Sequence, residues 1–196
     1  GALWQVPWGA IGDGSATVLM SPAFAARDVY LPANPTVLIW HQEREDLPWV
    51  TREVEALSEI FPQAVCCSTS ADALASLDGA YDLVHVATHA RLNRENPMFS
   101  HFEFADGPIF AIDIARSRLR TKAAMLASCE TGRIQLAFPD EPDGLVRAFL
   151  ARGAASVVAG LWPLDDEAAC VTMVAASTAL AQGRSVRESL SVGRTA

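Results

Sequence analysis

The sequence predicts an α/β fold with a mostly parallel sheet, and three observations carry that reading. Apolar β-prone runs alternate with stretches whose apolar residues recur at helical spacing. The clearest run, Thr36 to Trp40 (TVLIW), is apolar almost throughout, as a strand covered on both faces should be. The chain has 196 residues and is 51% hydrophobic, enough for one domain with a full core.

In order, the elements read as follows. After the strand ending at Trp40, Val50, Val54, Leu57, Ile60 and Phe61 recur at helical spacing, with Asp46 and Pro48 as start signals and Pro62 as the stop. Ala64 to Cys67 is a short second strand, and Ala71 to Leu77 a small helix. A turn at Asp78-Gly79 leads to a third strand, Tyr81 to Ala87 (YDLVHVA). Beyond His89 lies a polar loop, Arg91 to Asn96. Phe102-Glu103-Phe104 and Ile109-Phe110 flank Asp106-Gly107 and read as a hairpin. Ala123 to Ala127 (AAMLA) is read as a fourth core strand, although its alanines alone would equally permit a helix. A helix over Leu145 to Ala151, a fifth strand over Ser156 to Ala159 and a long Ala-rich helix from Asp165 to about Ala181 complete the alternation. No internal repeat and no low-complexity linker interrupts it.

Composition narrows the function classes. The net charge of -8 argues against a nucleic-acid partner, because phosphate binding calls for clustered Lys and Arg. It suits a basic protein or peptide substrate instead. No apolar run reaches the roughly 18 residues that span a bilayer, and no basic, then apolar, leader is visible, so no membrane partner is expected. The four cysteines, Cys66, Cys67, Cys129 and Cys170, include no C-x-x-C pair, so neither a disulfide framework nor a zinc site is expected. A reducing cytoplasm is the simpler setting. No carboxylate-rich calcium loop is visible, and no cofactor is implied. The chain opens on Gly1 and stops at Ala196, shortly after an apolar-periodic stretch begins near Val186. It reads as a single domain, 1–196, taken from a longer protein.

In parallel sheets the ligand crevice lies beyond the carboxyl ends of the strands. Two reactive residues fall there. His89 follows the strand ending at Ala87, and Cys129 follows the strand ending at Ala127. They are about forty residues apart, yet two adjacent parallel strands would bring them together. An imidazole beside a thiol can take its proton and later protonate a leaving amine, while backbone N–H groups stabilise the oxyanion. A buried Cys is more often core filler, and it is the joint placement of the two residues that favours catalysis. The other candidates have duller readings. His85 lies mid-strand, as a core histidine with a partner. His41 follows a strand, but no cysteine follows the matching position. His101 opens the hairpin and looks exposed. Cys66 and Cys67 suit packing in a short strand, and Cys170 suits the core side of the long helix.

Several segments together resemble one family. Tyr81 to His89 (YDLVHVATH) resembles the histidine motif of CHAT domains, whose second His is catalytic, and Met125 to Gly132 (MLASCETG) resembles their cysteine motif. Asn96-Pro97 with Ser100 and the hairpin, Gly144 to Glu167 (GLVRAFLARGAASVVAGLWPLDDE), Leu47 to Leu57, and Gly1 to Ile11 resemble further family segments in the same order. The resemblance thus covers nearly the whole chain. It implies a caspase-like sandwich, a mostly parallel central sheet flanked by helices, and a Cys/His endopeptidase acting on protein substrates. It further implies His89 as general acid/base and Cys129 as nucleophile. The oxyanion hole would be the backbone N–H groups of Cys129 and of Ala90. The family usually carries Gly at the latter position; Ala keeps the N–H but resists positive φ.

In separase-like relatives an acidic residue after the Leu-Trp segment faces a basic side chain before the scissile bond. Asp165 or Asp166 stands at the matching place in LWPLDD. Asp165 is read as the helix cap and Asp166 as the carboxylate that would select Arg or Lys, with Glu130 beside the nucleophile as a further pocket residue. Family members commonly carry a regulatory N-terminal domain or answer to a partner protein, and the same is implied here. An alternative class stays open: a catalytically weak or silent CHAT scaffold that serves as a protein-interaction module. A glutamine amidotransferase fits less well, because those enzymes place the Cys before the His.

Overall fold

The structure is a computed structural model and describes residues 28–93, 95–128, 144–160 and 165–196. Five strands form one parallel sheet: β1 (Val37–His41), β2 (Val65–Cys67), β3 (Ala80–Ala87), and β7 (Arg120–Leu126) and β8 (Ser156–Ala159), in the order β2-β1-β3-β7-β8. Successive side chains of a strand point to opposite faces, and both faces are apolar here. Leu38, Trp40, Val84, Val86, Ala124 and Leu126 enter one buried cluster. Val37, Ile39, Leu83, Ala123, Met125 and Val158 enter the other. A sheet buried on both sides must be covered on both sides, and helices do this.

On the first face lie α2 (Ser70–Ser76), α3 (Ala111–Arg116) and α4 (Leu145–Ala151), which contribute Ala73, Ile114 and Phe149 to the core. Trp40 is fully buried there between the rings of Phe102 and Phe149, at centroid distances of 6.2 and 6.3 Å. Its indole N–H donates to Ser76 Oγ at 3.0 Å, so the one polar atom of the ring is satisfied. On the second face lie α1 (Trp49–Ile60), α5 (Asp166–Ala181) and α6 (Val186–Gly193), which contribute Leu57, Met173 and Val186. The architecture is the caspase-like sandwich expected from the resemblance. AAMLA is a strand because it pairs in parallel on both sides, with β3 and with β8, a context that overrides the helical preference of alanine.

The expected hairpin is part of a three-stranded antiparallel sheet, β4 (Ala90–Arg91), β5 (His101–Phe104) and β6 (Gly107–Phe110). The start of the polar loop after His89 is therefore a strand. A 3-10 turn at Pro97–Phe99 and the six-residue α3 escaped the sequence reading, both being too short for a periodic signal. Asp106 at the hairpin tip accepts from the N–H groups of Ser70 and Ala71 at 2.7 and 3.3 Å, which ties the small sheet to the start of α2. Cys66 corrects an expectation: it is exposed, because β2 lies at an edge of the described sheet and only Cys67 turns into the core. Among the described residues no helix is long and apolar enough to cross a membrane.

Candidate functional site

β3 and β7 are neighbours in the middle of the sheet, with Val86 opposite Leu126. The chain segments that leave them, Ala87 to His89 and Ala127 to Ser128, therefore emerge side by side at the carboxyl end. Between them and the starts of α1 and α5 lies a cleft. Its lining includes His89 and Ser128 from the strand ends, Val50 and Glu53 from α1, and Asp166 and Ala169 from α5. Cys129 is the residue after Ser128; it and Glu130 lie outside the described residues.

The backbone around His89 is pinned to the small sheet. Glu103 N–H donates to the His89 carbonyl at 2.9 Å, and Thr88 Oγ1 donates to the Glu103 carbonyl at 2.5 Å. The first of these bonds, with Ala90 opposite Phe102, makes that pair a non-hydrogen-bonded one. The N–H of Ala90 consequently points away from β5. Ala90 sits in extended backbone, so its position does not demand the glycine-like conformation that the family's usual residue suggests.

The imidazole of His89 is held from outside the cleft. Its Nε2 lies 2.9 Å from Asp46 Oδ2, and Asp46 in turn receives Arg44 Nε at 3.0 Å. Arg44 also reaches Glu103 at 3.8 Å, and Glu103 receives Arg91 Nε at 2.6 Å. The Arg44 hydrogen bond, followed by that of His89, holds the Asp46 carboxyl below the usual carboxylate range. Arg91 does the same for Glu103. An ionised carboxylate only accepts, so Nε2 of His89 carries the hydrogen and Nδ1 is the ring nitrogen left to act as base.

Two further carboxylates border the cleft. Asp166 Oδ2 accepts from the N–H of Trp49 at 2.8 Å and so caps α1, whose own N-cap position is Pro48 with no side-chain cap. Asp165 caps α5 through the N–H of Ala168 at 3.2 Å, as expected. Glu53 is 2% exposed and its Oε1 lies 2.5 Å from Nε2 of the fully buried His85. The Nδ1 of His85 is buried with no partner among the described residues. Glu53 is thus the one hydrogen-bond partner of this ring among the described residues. Cys170 lies near this group, and burial first, then the charge of Glu53, pushes its thiol up to about 11.

The remaining histidines fall away from this role. His41 closes β1, half-buried, and burial lowers its imidazole below the ordinary value against the opposing pull of Glu43. His101, expected to be exposed, is half-buried against the ring of Phe110 at 5.2 Å. Among the described residues no group of three His, Cys, Asp or Glu side chains could hold a metal ion.

Sequence reasoning missed Asp46 and Glu53. Asp46 reads as a helix start signal, and its partner His89 is 43 positions away, so no local spacing shows the pair. Glu53 did leave a trace: it stands three residues after Val50 and four before Leu57, a carboxylate on an apolar stripe.

Comparison with curated proteins gives no match. A family model described as CHAT domain matches residues 1–196, the whole of the chain. That family is related to the caspase-like cysteine peptidases, and the sheet described above is the architecture those enzymes lead one to expect. The chain belongs to the CHAT domain family.

Proposed function

We propose that this domain is a cysteine endopeptidase in which His89 is the general acid/base and Cys129 the nucleophile, cleaving protein substrates after a basic side chain. One observation carries the reading: His89 and Ser128, the residue preceding Cys129, line a single cleft at the carboxyl ends of adjacent parallel strands. In the proposed reaction Nδ1 of His89 takes the thiol proton, and the thiolate sulfur attacks the scissile carbonyl carbon. The oxyanion is met by the N–H groups of Cys129 and Ala90; the outward direction of the Ala90 N–H supports its part. The protonated His89 then gives its proton to the leaving amine, and water, deprotonated by the same ring, releases the acyl group.

The preference for Arg or Lys is supported by the acidic lining of the cleft. Asp166, half-buried, uses Oδ2 on Trp49, and the buried Glu53 adds a second carboxylate. A guanidinium or ammonium group entering there would meet charge-assisted hydrogen bonds. Restraint by a regulatory domain or partner protein is part of the same proposal.

The test is a fluorogenic peptide panel varied at the residue before the scissile bond, read with wild type, Cys129→Ala, Asp166→Asn and Asp165→Ala. Cleavage after Arg or Lys that Cys129→Ala abolishes is the expected result. Asp166→Asn keeps an acceptor for Trp49 N–H but removes the charge, so it should lose the basic preference. Asp165→Ala loses only a helix cap, about 1 kcal/mol of stability, and should cleave with unchanged preference. Absence of cleavage, together with slow iodoacetamide alkylation of Cys129 at neutral pH, would favour the protein-interaction module instead.

A further inference from the structure

We infer that Asp46 is a positioning residue for His89 and that it is itself held by Arg44. The inference rests on the peptidase reading for its kinetic consequence but not for its structural one. Four observations support it. Asp46 Oδ2 meets His89 Nε2 at 2.9 Å. Arg44 Nε meets the other oxygen, Asp46 Oδ1, at 3.0 Å, so both carboxylate oxygens are used and the group is fixed in direction. The segment carrying it is folded back on itself by a bridge between Arg44 and Leu47. The His89 backbone is independently fixed by Glu103, the residue that also draws in Arg44 and Arg91.

The chemistry follows from the geometry. With Nε2–H donated to Asp46, the ring can neither flip nor shift its hydrogen to Nδ1 without breaking a charge-assisted bond. Nδ1 is thereby kept bare, on a residue that lines the cleft. When it takes a proton, the positive charge that forms is balanced by the carboxylate already in contact with the far side of the ring. Buried aspartates in such a role contribute several powers of ten in rate. Asp46 is 59% exposed along its side chain and screened by solvent, so its share here is far smaller, about 10-fold in kcat. The link through Arg44 and Glu103 makes the setting of the imidazole depend on the small sheet.

The experiment has two arms. In the first, the imidazole of His89 is observed by nitrogen-15 and proton NMR in wild type, Asp46→Ala, Asp46→Glu and Arg44→Gln, with no substrate. The expected result is an Nε2–H proton protected from solvent exchange in wild type, lost in Asp46→Ala and partly restored in Asp46→Glu. In the second arm, kcat and KM are measured on a cleaved Arg peptide. Asp46→Ala should lower kcat about 10-fold with KM unchanged, and Arg44→Gln should lower it by less. Unchanged His89 resonances in Asp46→Ala would overturn the inference whatever the kinetics. A fall in kcat with unaltered resonances, or a rise in KM alone, would overturn it as well. If the resonances respond as expected but wild type cleaves nothing, the positioning role stands and the peptidase reading falls.

Discussion

Replacing Glu53 by Ala should remove the partner from a histidine that has nowhere else to turn. His85 is fully buried in the middle of β3, and its Nδ1 is already without a hydrogen bond among the described residues. Its Nε2 meets Glu53 at 2.5 Å. Breaking a buried pair from one side strands the other polar group, at a cost of about 3–5 kcal/mol. For a domain of this size that is a fall in Tm of roughly 6–20 °C. Glu53→Gln keeps an acceptor and loses only charge assistance, so it should cost about 1–2 kcal/mol. Replacing both partners, Glu53→Leu with His85→Leu, removes the polar atoms together and should return to within about 1.5 kcal/mol of wild type. Urea denaturation followed by tryptophan fluorescence gives the stabilities of wild type, these variants and the single variants Glu53→Leu and His85→Leu that complete the cycle. The cycle should show a coupling of about 3 kcal/mol between the two positions. A loss below about 1 kcal/mol in Glu53→Ala, or single-variant losses that simply add in the double variant, would refute the buried pair.

Two other outcomes follow from packing and burial. A Cβ at Gly193 would press on the carbonyl of Thr172 and on Ala176 Cβ, where α6 crosses α5, so Gly193→Ala should cost about 1–3 kcal/mol in the same urea assay. Cys170 should resist iodoacetamide in the native protein at pH 8, because its thiol is raised from 9.0 to about 11 and stays protonated. The sign of the pH effect on stability follows: the unfolded chain ionises this thiol first, so the contribution is present below pH 9 and is lost as pH rises towards 11. Denaturation at pH 8 and pH 10.5, wild type against Cys170→Ala, isolates it, and equal losses in the two proteins would remove Cys170 as the cause.

The elements that repeat a pattern could be read from the chain. Val50, Leu57 and Phe61 mark one face of α1, and the nearly continuous apolar runs of β1 and β3 mark strands covered twice. That two strands in parallel would bring the segments ending at His89 and Ser128 to the same end was also legible, because strand carboxyl ends are where such folds keep their chemistry. What could not be read was every relation set by tertiary distance. Asp166 serves the N–H of Trp49, 117 positions away, and no local signal announces that a helix start will be capped from another helix. Asp46 looked like the start of α1 because acidic residues are common there, yet it faces the other way, towards His89. The buried character of Glu53 was half visible, as a charge on an apolar stripe, but its partner in β3 was not.

The two strands from which the candidate site springs are flanked on both sides, whereas β2 and β8 are the outer strands of the described sheet. Amide protons of Leu83 to Ala87 and Ala123 to Leu126 should thus be among the last to exchange with solvent, since they are released only by global opening. Partial fraying at the rim would leave the ends of β3 and β7 in register. Heat inactivation should accordingly coincide with cooperative unfolding of the domain and not run ahead of it, and the outer strands are where tags, linkers or fused modules can be accommodated at least risk to the cleft.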